Sequence, residues 1–373
     1  MTENFEACKL SDLTTPCLLL DLDAFEANLQ KLAAFCTAKG KALRPHAKSH
    51  KCPEIARRQL DAGAVGLCAA TIREAEAMAH AGITDLLITS EVVGRPKLLR
   101  LQELLRSYPD IKVVVDDLSN ALDLDELARS TGRRIKLLID VDPGAHRTGV
   151  DPIAELESFA LEVMKLESVD LLGVQCYSGI SAHIEGWENR RQHSMEALGP
   201  ALETVERLRK KGMPLDIFTG GSTGTYNIDS EMDGVTELQC GSYIFMDLEY
   251  QGIGSKEGSS FYADFDSSLT VLSTVISRKH EDRLTVDAGW KAFATDRPFG
   301  PRVKEHRGLQ VIRQSDEHGI LSVSESADRL SVGDQLEFIV PHCDPNVNLY
   351  DRIWCRRGDQ VLDAWPVLGR HGG

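Results

Sequence analysis

Short apolar runs alternate with longer amphipathic stretches along the first two thirds of the chain. The runs at 42–45, 66–70, 85–89, 111–115, 135–141, 170–176, 215–219 and 237–241 have the length of short strands buried on both faces. Between them, apolar residues recur at helical spacing over 25–37, 53–62, 72–81, 96–106, 118–130, 153–166 and 188–211. In the first of these, Phe25, Leu29, Leu32, Ala33 and Cys36 mark one face. Pro53 opens the second, where a missing N–H does no harm. Gly40, Gly63, Gly82, Gly132 and Gly212 each follow such a stretch, where a left-handed cap is wanted. Eight strands alternating with helices predict a parallel sheet, and eight is the number that closes one into a barrel. A doubly wound open sheet is the alternative.

The texture changes near Phe261. From there, period-two alternation over 269–276, 283–287, 320–323, 334–339, 352–356 and 360–364 predicts strands separated by glycine and charged turns. The expected architecture is α/β: a (β/α)8 TIM-like barrel over 1–260 and a mainly β C-terminal domain over 261–373. The β-like segment 15–20 precedes the first helix and is a candidate for the C-terminal sheet.

Charge and composition narrow the class. A net charge of -15 argues against nucleic acid and anionic membrane as partners. Nine scattered cysteines without a C-x-x-C pair form neither a disulfide framework nor a zinc ribbon, and read as buried thiols in a reducing compartment. The first six residues lack the basic and apolar regions of a signal peptide, and no apolar stretch is long enough to span a bilayer. These features make the cytoplasm the expected location.

Candidate chemistry gathers at the ends of the expected strands. Arg44-Pro45-His46-Ala47-Lys48-Ser49-His50-Lys51 closes the first, and the C-terminal ends of barrel strands face the active-site mouth. A lysine among cations and partly shielded from water has a lowered pKa and serves as an amine nucleophile toward an aldehyde. A basic solvated loop is the competing reading. Gly220-Gly221-Ser222-Thr223-Gly224-Thr225 follows the seventh strand, and Gly241-Ser242-Tyr243 the eighth. Small residues let N–H groups converge on an anion, and barrels commonly hold phosphate between these two loops. Arg147 follows strand five; Gln175, Tyr177 and His183 lie at or after the end of strand six, where they can position a cofactor and move protons. His342 and Asp344, spaced i, i+2, share one side of an expected extended segment and suit Mn²⁺, Zn²⁺ or Mg²⁺, with Cys343 facing away. His80, His193, His280, His306 and His318 read as ordinary hydrogen-bonding residues.

Taken in order from about Thr15 to the C-terminus, these motifs resemble the D-threonine aldolase and D-serine dehydratase family, whose members are alanine-racemase-type, fold type III pyridoxal-phosphate enzymes. The resemblance implies a homodimer acting on a small D-amino acid, with active sites near the subunit interface. It implies that Lys48 binds pyridoxal 5'-phosphate covalently. Gly221, Ser222, Thr223, Gly224 and Thr225, with Gly241, Ser242 and Tyr243, would hold its phosphate. Arg147 and Tyr177 would lie beside its ring. His342 and Asp344 would hold a divalent metal, Mn²⁺ first and Mg²⁺ or Zn²⁺ as alternatives, with His183 near the substrate hydroxyl. The dehydratase branch tends to show H-x-C at the metal site and the aldolase branch H-x-D; His342-Cys343-Asp344 follows the second. The implied activity is retro-aldol cleavage of D-3-hydroxy-α-amino acids to glycine and an aldehyde, with dehydration to a keto acid and ammonia as the alternative. The stretch 295–302 has no clear family counterpart. Arg297 or Arg302 there would suit the second carboxylate of β-hydroxyaspartate, and plain surface charge is the preferred reading of both.

Overall fold

A computed structural model describes residues 6–325 and 329–371. Most of the segment read above for a leader lies outside the described residues. The chain divides into two units. One comprises 31–241, 253–260 and His371; the other comprises the N-terminal part up to Gln30, Ser242–Gly252 and Phe261–Arg370.

The first unit contains an eight-stranded parallel sheet. Its strands are Ala42–Leu43, Leu67–Ala69, Leu86–Ile88, Lys112–Val115, Ile135–Asp140, Val169–Cys176, Ile217–Gly220 and Glu237–Leu238. They lie side by side in chain order, except that the last returns to pair with the first, Glu237 opposite Ala42. Closure between the first two strands is looser. It runs through Val65 N–H to Leu43 O at 2.9 Å, Cys68 N–H to Pro45 O at 2.8 Å, and a parallel bridge between His46 and Cys68. Cys68, Leu87, Val114 and Leu138, from successive strands, pack as one fully buried cluster. Each such side chain contributes about 1–3 kcal/mol on burial. The connecting helices are punctuated as their sequences require. The Asp117 carboxylate accepts from the N–H groups of Ser119 and Asn120 at the start of Leu118–Thr131, and Gly132 ends that helix in the left-handed region at φ 67°.

The second unit is built on a ten-stranded sheet. The segment read as β-like near Thr15 is the strand Cys17–Asp21, and it lies inside this sheet. It runs antiparallel to Leu269–His280 and parallel to Arg352–Arg357. Leu18, Leu19 and Leu20 are completely buried, as a strand with neighbours on both edges and cover on both faces demands. Three strands were not anticipated: Cys8–Lys9, Leu309–Gln314 and Arg302–Val303. The second is an edge strand with a bulge between Val311 and Arg313, so the alternation expected of a strand is broken there. No described helix is long and apolar enough to cross a membrane. All nine cysteines are free thiols, and eight are buried.

Candidate active site

Lys48 sits in a single 3-10 turn, Ala47–Ser49, directly after the first barrel strand. His46 holds that turn from both ring nitrogens. Its Nδ1 accepts from the Lys48 N–H at 3.3 Å, and its Nε2 lies 3.0 Å from the Thr89 hydroxyl. The Lys48 ammonium lies 5.6 Å from the centroid of the Tyr177 ring, and the Arg147 guanidinium lies 5.7 Å from the same centroid. Two cations flanking one aromatic ring define the mouth of a cavity of about 290 Å³, which is also lined by His46, Glu91, Gln175 and Gln239. A roomier hollow of about 370 Å³ in the other unit gathers no comparable chemistry; its Lys304 merely faces Glu337 at 3.9 Å.

Not every member of the basic motif belongs to this mouth. Arg44 was expected among the clustered cations. Instead it is buried, with Nε 2.9 Å from Glu237 and Nη1 2.5 Å from Asp85. Glu237 opens the eighth strand and Asp85 precedes the third, so the guanidinium reaches the opposite, N-terminal end of the sheet. On a short strand, neighbouring side chains part company, and Arg44 follows its carboxylates.

The loop that carries Arg147 is pinned at each end. Asp142 Oδ1 accepts from the N–H groups of Gly144, Ala145 and His146, Thr148 donates to Asp140 Oδ2 at 2.8 Å, and the Gly149 N–H donates to Asp116 Oδ2 at 2.9 Å. Beneath it lies a row of polar side chains from different strands. Gln175 Nε2 donates to Asp140 Oδ1 at 2.8 Å, and Gln239 Nε2 donates to Gln175 Oε1 at 3.2 Å and Thr219 Oγ1 at 3.1 Å. Burial, with the nearby Asp140 and Asp116, pushes the Glu91 carboxyl up to about 7. Burial also raises Asp140, against the hydrogen bonds it accepts from Gln175 and Thr148 and the charge of Arg147. Glu91 and Asp140 escaped the sequence reading. Their one visible signal was position, at or just after strand ends.

A folded protein that keeps a proton on Glu91 up to about pH 7, where an unfolded glutamate loses it near 4.5, becomes less stable through that window as pH rises. Glu91→Gln should therefore match the wild type in melting temperature near pH 4 and exceed it by a few degrees at pH 8. Parallel melting curves at both pH values would contradict the raised carboxyl.

The seventh strand runs into the small-residue loop. Gly221 has φ +77°, a conformation costly for any side chain. A Cβ on Gly224 would stand 2.0 Å from Ala182 O, so the loop passes flush against the turn bearing His183. The Ser222 N–H donates to Thr225 Oγ1 at 3.1 Å, and Thr225 Oγ1 donates to Asp229 Oδ2 at 2.5 Å. Asp229 also accepts from Ser194 Oγ at 2.5 Å; burial nonetheless pushes its carboxyl up to about 6. Gly241 follows the eighth strand, and a Cβ there would crowd His46 O at 3.1 Å. His183 ends the 3-10 turn Ser181–His183, and His193, read as an ordinary residue, bonds the Ser181 hydroxyl through Nδ1 at 2.9 Å.

Ser242, Tyr243, His342 and Asp344 lie in the second unit. The expected extended segment is not what forms around His342. His342 is extended, but Cys343–Val347 is a short helix, so Asp344 sits in its first turn. The turn is nucleated by Asp247, whose Oδ2 accepts from the Cys343 N–H at 2.8 Å while its Oδ1 caps Tyr250 at 3.0 Å. His342 Nδ1 lies 2.7 Å from Asp296 Oδ2, which leaves Nε2 as the nitrogen able to meet an ion. Asp344 Oδ1 accepts from the Ser242 hydroxyl at 3.5 Å. Burial holds the Cys343 thiol well above its ordinary range. Tyr243 is buried edge-to-face against Phe265. Arg297 is committed to Glu249 at 2.7 Å and Asp296 at 3.1 Å, and Arg302 to Gln251. Among the described residues, no three His, Cys, Asp or Glu side chains gather as a metal cage.

Comparison with known proteins accords with this geometry. Residues 20–249 match the family described as "Alanine racemase, N-terminal domain", and 268–355 match "Putative serine dehydratase domain". A D-threonine aldolase of Arthrobacter sp is 38% identical over 97% of this chain and 94% of that one. The chain belongs to the D-threonine aldolase and D-serine dehydratase family of alanine-racemase-type enzymes. A 3-hydroxy-D-aspartate aldolase of Paracoccus denitrificans (strain Pd 1222) is 34% identical, with the same coverage of 97% and 94%. The crystal structure of D-threonine aldolase from Filomicrobium marinum superposes with a TM-score of 0.92 at 36% identity, covering 98% of this chain and 97% of that one.

Pyridoxal phosphate is the cofactor of this family, and the residues present fit it. The loop at Gly221 has the left-handed backbone and buried hydroxyls of an anion cradle, and an amine and a guanidinium stand at the mouth of the same barrel.

Proposed function

We propose that this chain cleaves D-configured 3-hydroxy-α-amino acids into glycine and an aldehyde, using pyridoxal phosphate and a divalent ion. The observation that carries this reading is the Lys48–Tyr177–Arg147 arrangement at a closed barrel mouth, in a chain related over nearly its whole length to two aldolases. When bound, the cofactor ring accepts the electron pair released as a bond to the substrate Cα breaks.

In this reading, Lys48 Nζ holds the cofactor aldehyde, and Tyr177 and Arg147 keep the ring in place. The loop of Gly221, Ser222, Thr223, Gly224 and Thr225 would cradle the phosphate, with Gly241, Ser242 and Tyr243 completing its surroundings. An imidazole nitrogen of His183 takes the proton of the substrate's β-hydroxyl, which commits the Cα–Cβ bond to break. His342 Nε2 and the Asp344 carboxylate would hold the divalent ion, which would supply Lewis-acid activation of that hydroxyl. Two protein ligands leave positions free for water and substrate, which suits Mn²⁺ first and Mg²⁺ or Zn²⁺ next. Arg297 and Arg302 already have protein partners, which favours D-threonine over β-hydroxyaspartate as the side chain accommodated. The working division assigns cofactor chemistry to the barrel, 1–260, and the ion to the mainly β domain, 261–373. We read the assembly as a cytoplasmic homodimer; sedimentation of the purified protein checks the stoichiometry.

D-Threonine is the discriminating substrate. It should yield equimolar glycine and acetaldehyde, and L-threonine neither. Accumulation of 2-oxobutyrate and ammonia as the main products would replace the aldolase by a dehydratase.

A further inference from the structure

We infer that Arg190 is a positioning residue that sets the phosphate loop and the His183 turn together, through one buried guanidinium. The inference rests on the reading of 220–225 as the phosphate loop.

Arg190 lies in the second turn of the helix Trp187–Lys210, within a stretch so polar that it reads as a solvated face. It is 0% exposed. Four hydrogen bonds run from its guanidinium to backbone carbonyls in three separate segments. Nε donates to Gly224 O at 2.7 Å, Nη1 to Ile184 O and Ile253 O at 2.8 Å each, and Nη2 to Gly254 O at 2.9 Å. A permanently charged group is costly to bury, so a site that needed only volume would hold an apolar side chain. The planar fork is what reaches four acceptors at once; a lysine ammonium is a single point and cannot.

The consequence for an anion is direct. A loop that binds phosphate must turn its N–H groups toward it and its carbonyls away. The Gly224 carbonyl is committed to the guanidinium and so cannot oppose a phosphate held by the same loop. The positive charge also stands directly behind that peptide. The same side chain grips Ile184, the neighbour of His183, while Gly224 passes against Ala182 with no room for a Cβ. One helical turn further on, Ser194 reaches Asp229, which in turn receives the Thr225 hydroxyl. One helix face therefore braces the loop at both Gly224 and Thr225.

The test is cofactor affinity of the full-length chain stripped of cofactor, titrated with pyridoxal phosphate and with pyridoxal, which lacks the phosphate. Arg190→Gln should weaken pyridoxal phosphate roughly tenfold or more, the effect expected for losing charge-assisted hydrogen bonds. Pyridoxal should change by less than about twofold, since its aldehyde still meets Lys48. Arg190→Lys keeps the charge and serves if the glutamine variant does not fold; its loss should be smaller but equally confined to the phosphorylated ligand. Equal losses for both ligands in a folded variant, or none for either, would reduce Arg190 to a structural brace and overturn the inference. A wild type that binds both ligands equally well would remove the phosphate reading of the loop, and this inference with it.

Discussion

Lys48→Ala should give a folded, colourless protein whose turnover of D-threonine is lower by at least about a thousandfold, because the covalent hold on the cofactor and the amine that hands it to substrate are lost together. The fold should survive. Lys48 is half-buried in a short turn, and the bonds that shape the turn come from backbone and from His46 rather than from the lysine side chain. Borohydride treatment of the wild type should fix the cofactor on the peptide carrying Lys48. Two other lysines are poor candidates: Lys51 Nζ is committed to Lys48 O at 2.5 Å, and Lys291 is a surface partner of Glu317. Recovery of the label on either would refute the assignment. Melting temperatures of wild type and variant, both stripped of cofactor, should agree within a few degrees.

Removal of the divalent ion should be nearly as damaging. Chelation should stop cleavage while the visible absorption of the Lys48-bound cofactor persists, since the two depend on different residues. The expected loss is about a thousandfold, or several kcal/mol of transition-state stabilisation. Adding Mn²⁺ should restore the chelated wild type. Asp344→Ala should behave like the chelated enzyme and resist rescue at ordinary metal concentrations, because a lone imidazole holds such an ion weakly. The helix turn at Cys343 should remain, since it hangs on Asp247 and not on Asp344. Full turnover in protein shown by elemental analysis to be free of metal would exclude the proposed role of His342 and Asp344.

Much of the architecture was legible because it depends on neighbours in the chain. A strand buried on both faces must be apolar throughout, and a helix must repeat every three or four residues, so the eight strands and seven helices declared themselves locally. Glycine after a helix, as at Gly132, reports a backbone angle that other residues resist. Lys48 became the candidate amine through the family motif at a barrel strand's end, and 220–225 the candidate phosphate loop because small residues let a backbone turn around an anion. Family motifs then supplied the substrate class.

What stayed hidden depends on residues distant in sequence. Nothing in Cys17-Leu18-Leu19-Leu20-Asp21 names its partners, Leu269–His280 and Arg352–Arg357, because hydrogen bonds between strands are made by backbone common to every residue. Arg44 looked like a member of the cationic cluster until Asp85 and Glu237 drew it to the other end of the barrel. The turn at Asp344 is helical because Asp247, far away in sequence, caps it. Glu91 and Asp140 owe their raised carboxyls first to burial and then to neighbouring carboxylates, Asp116 among them, which has no counterpart in the linear order. Arg190 sits among solvent-loving residues and is nonetheless fully buried, held by four carbonyls that only the folded chain assembles. Local periodicity and residue size mark the barrel strands and the candidate anion cradle along the chain, and the family motif marks the candidate amine. The partners of the polar residues around them, and the directions in which their carboxyls shift, come from distance and desolvation between segments far apart in sequence.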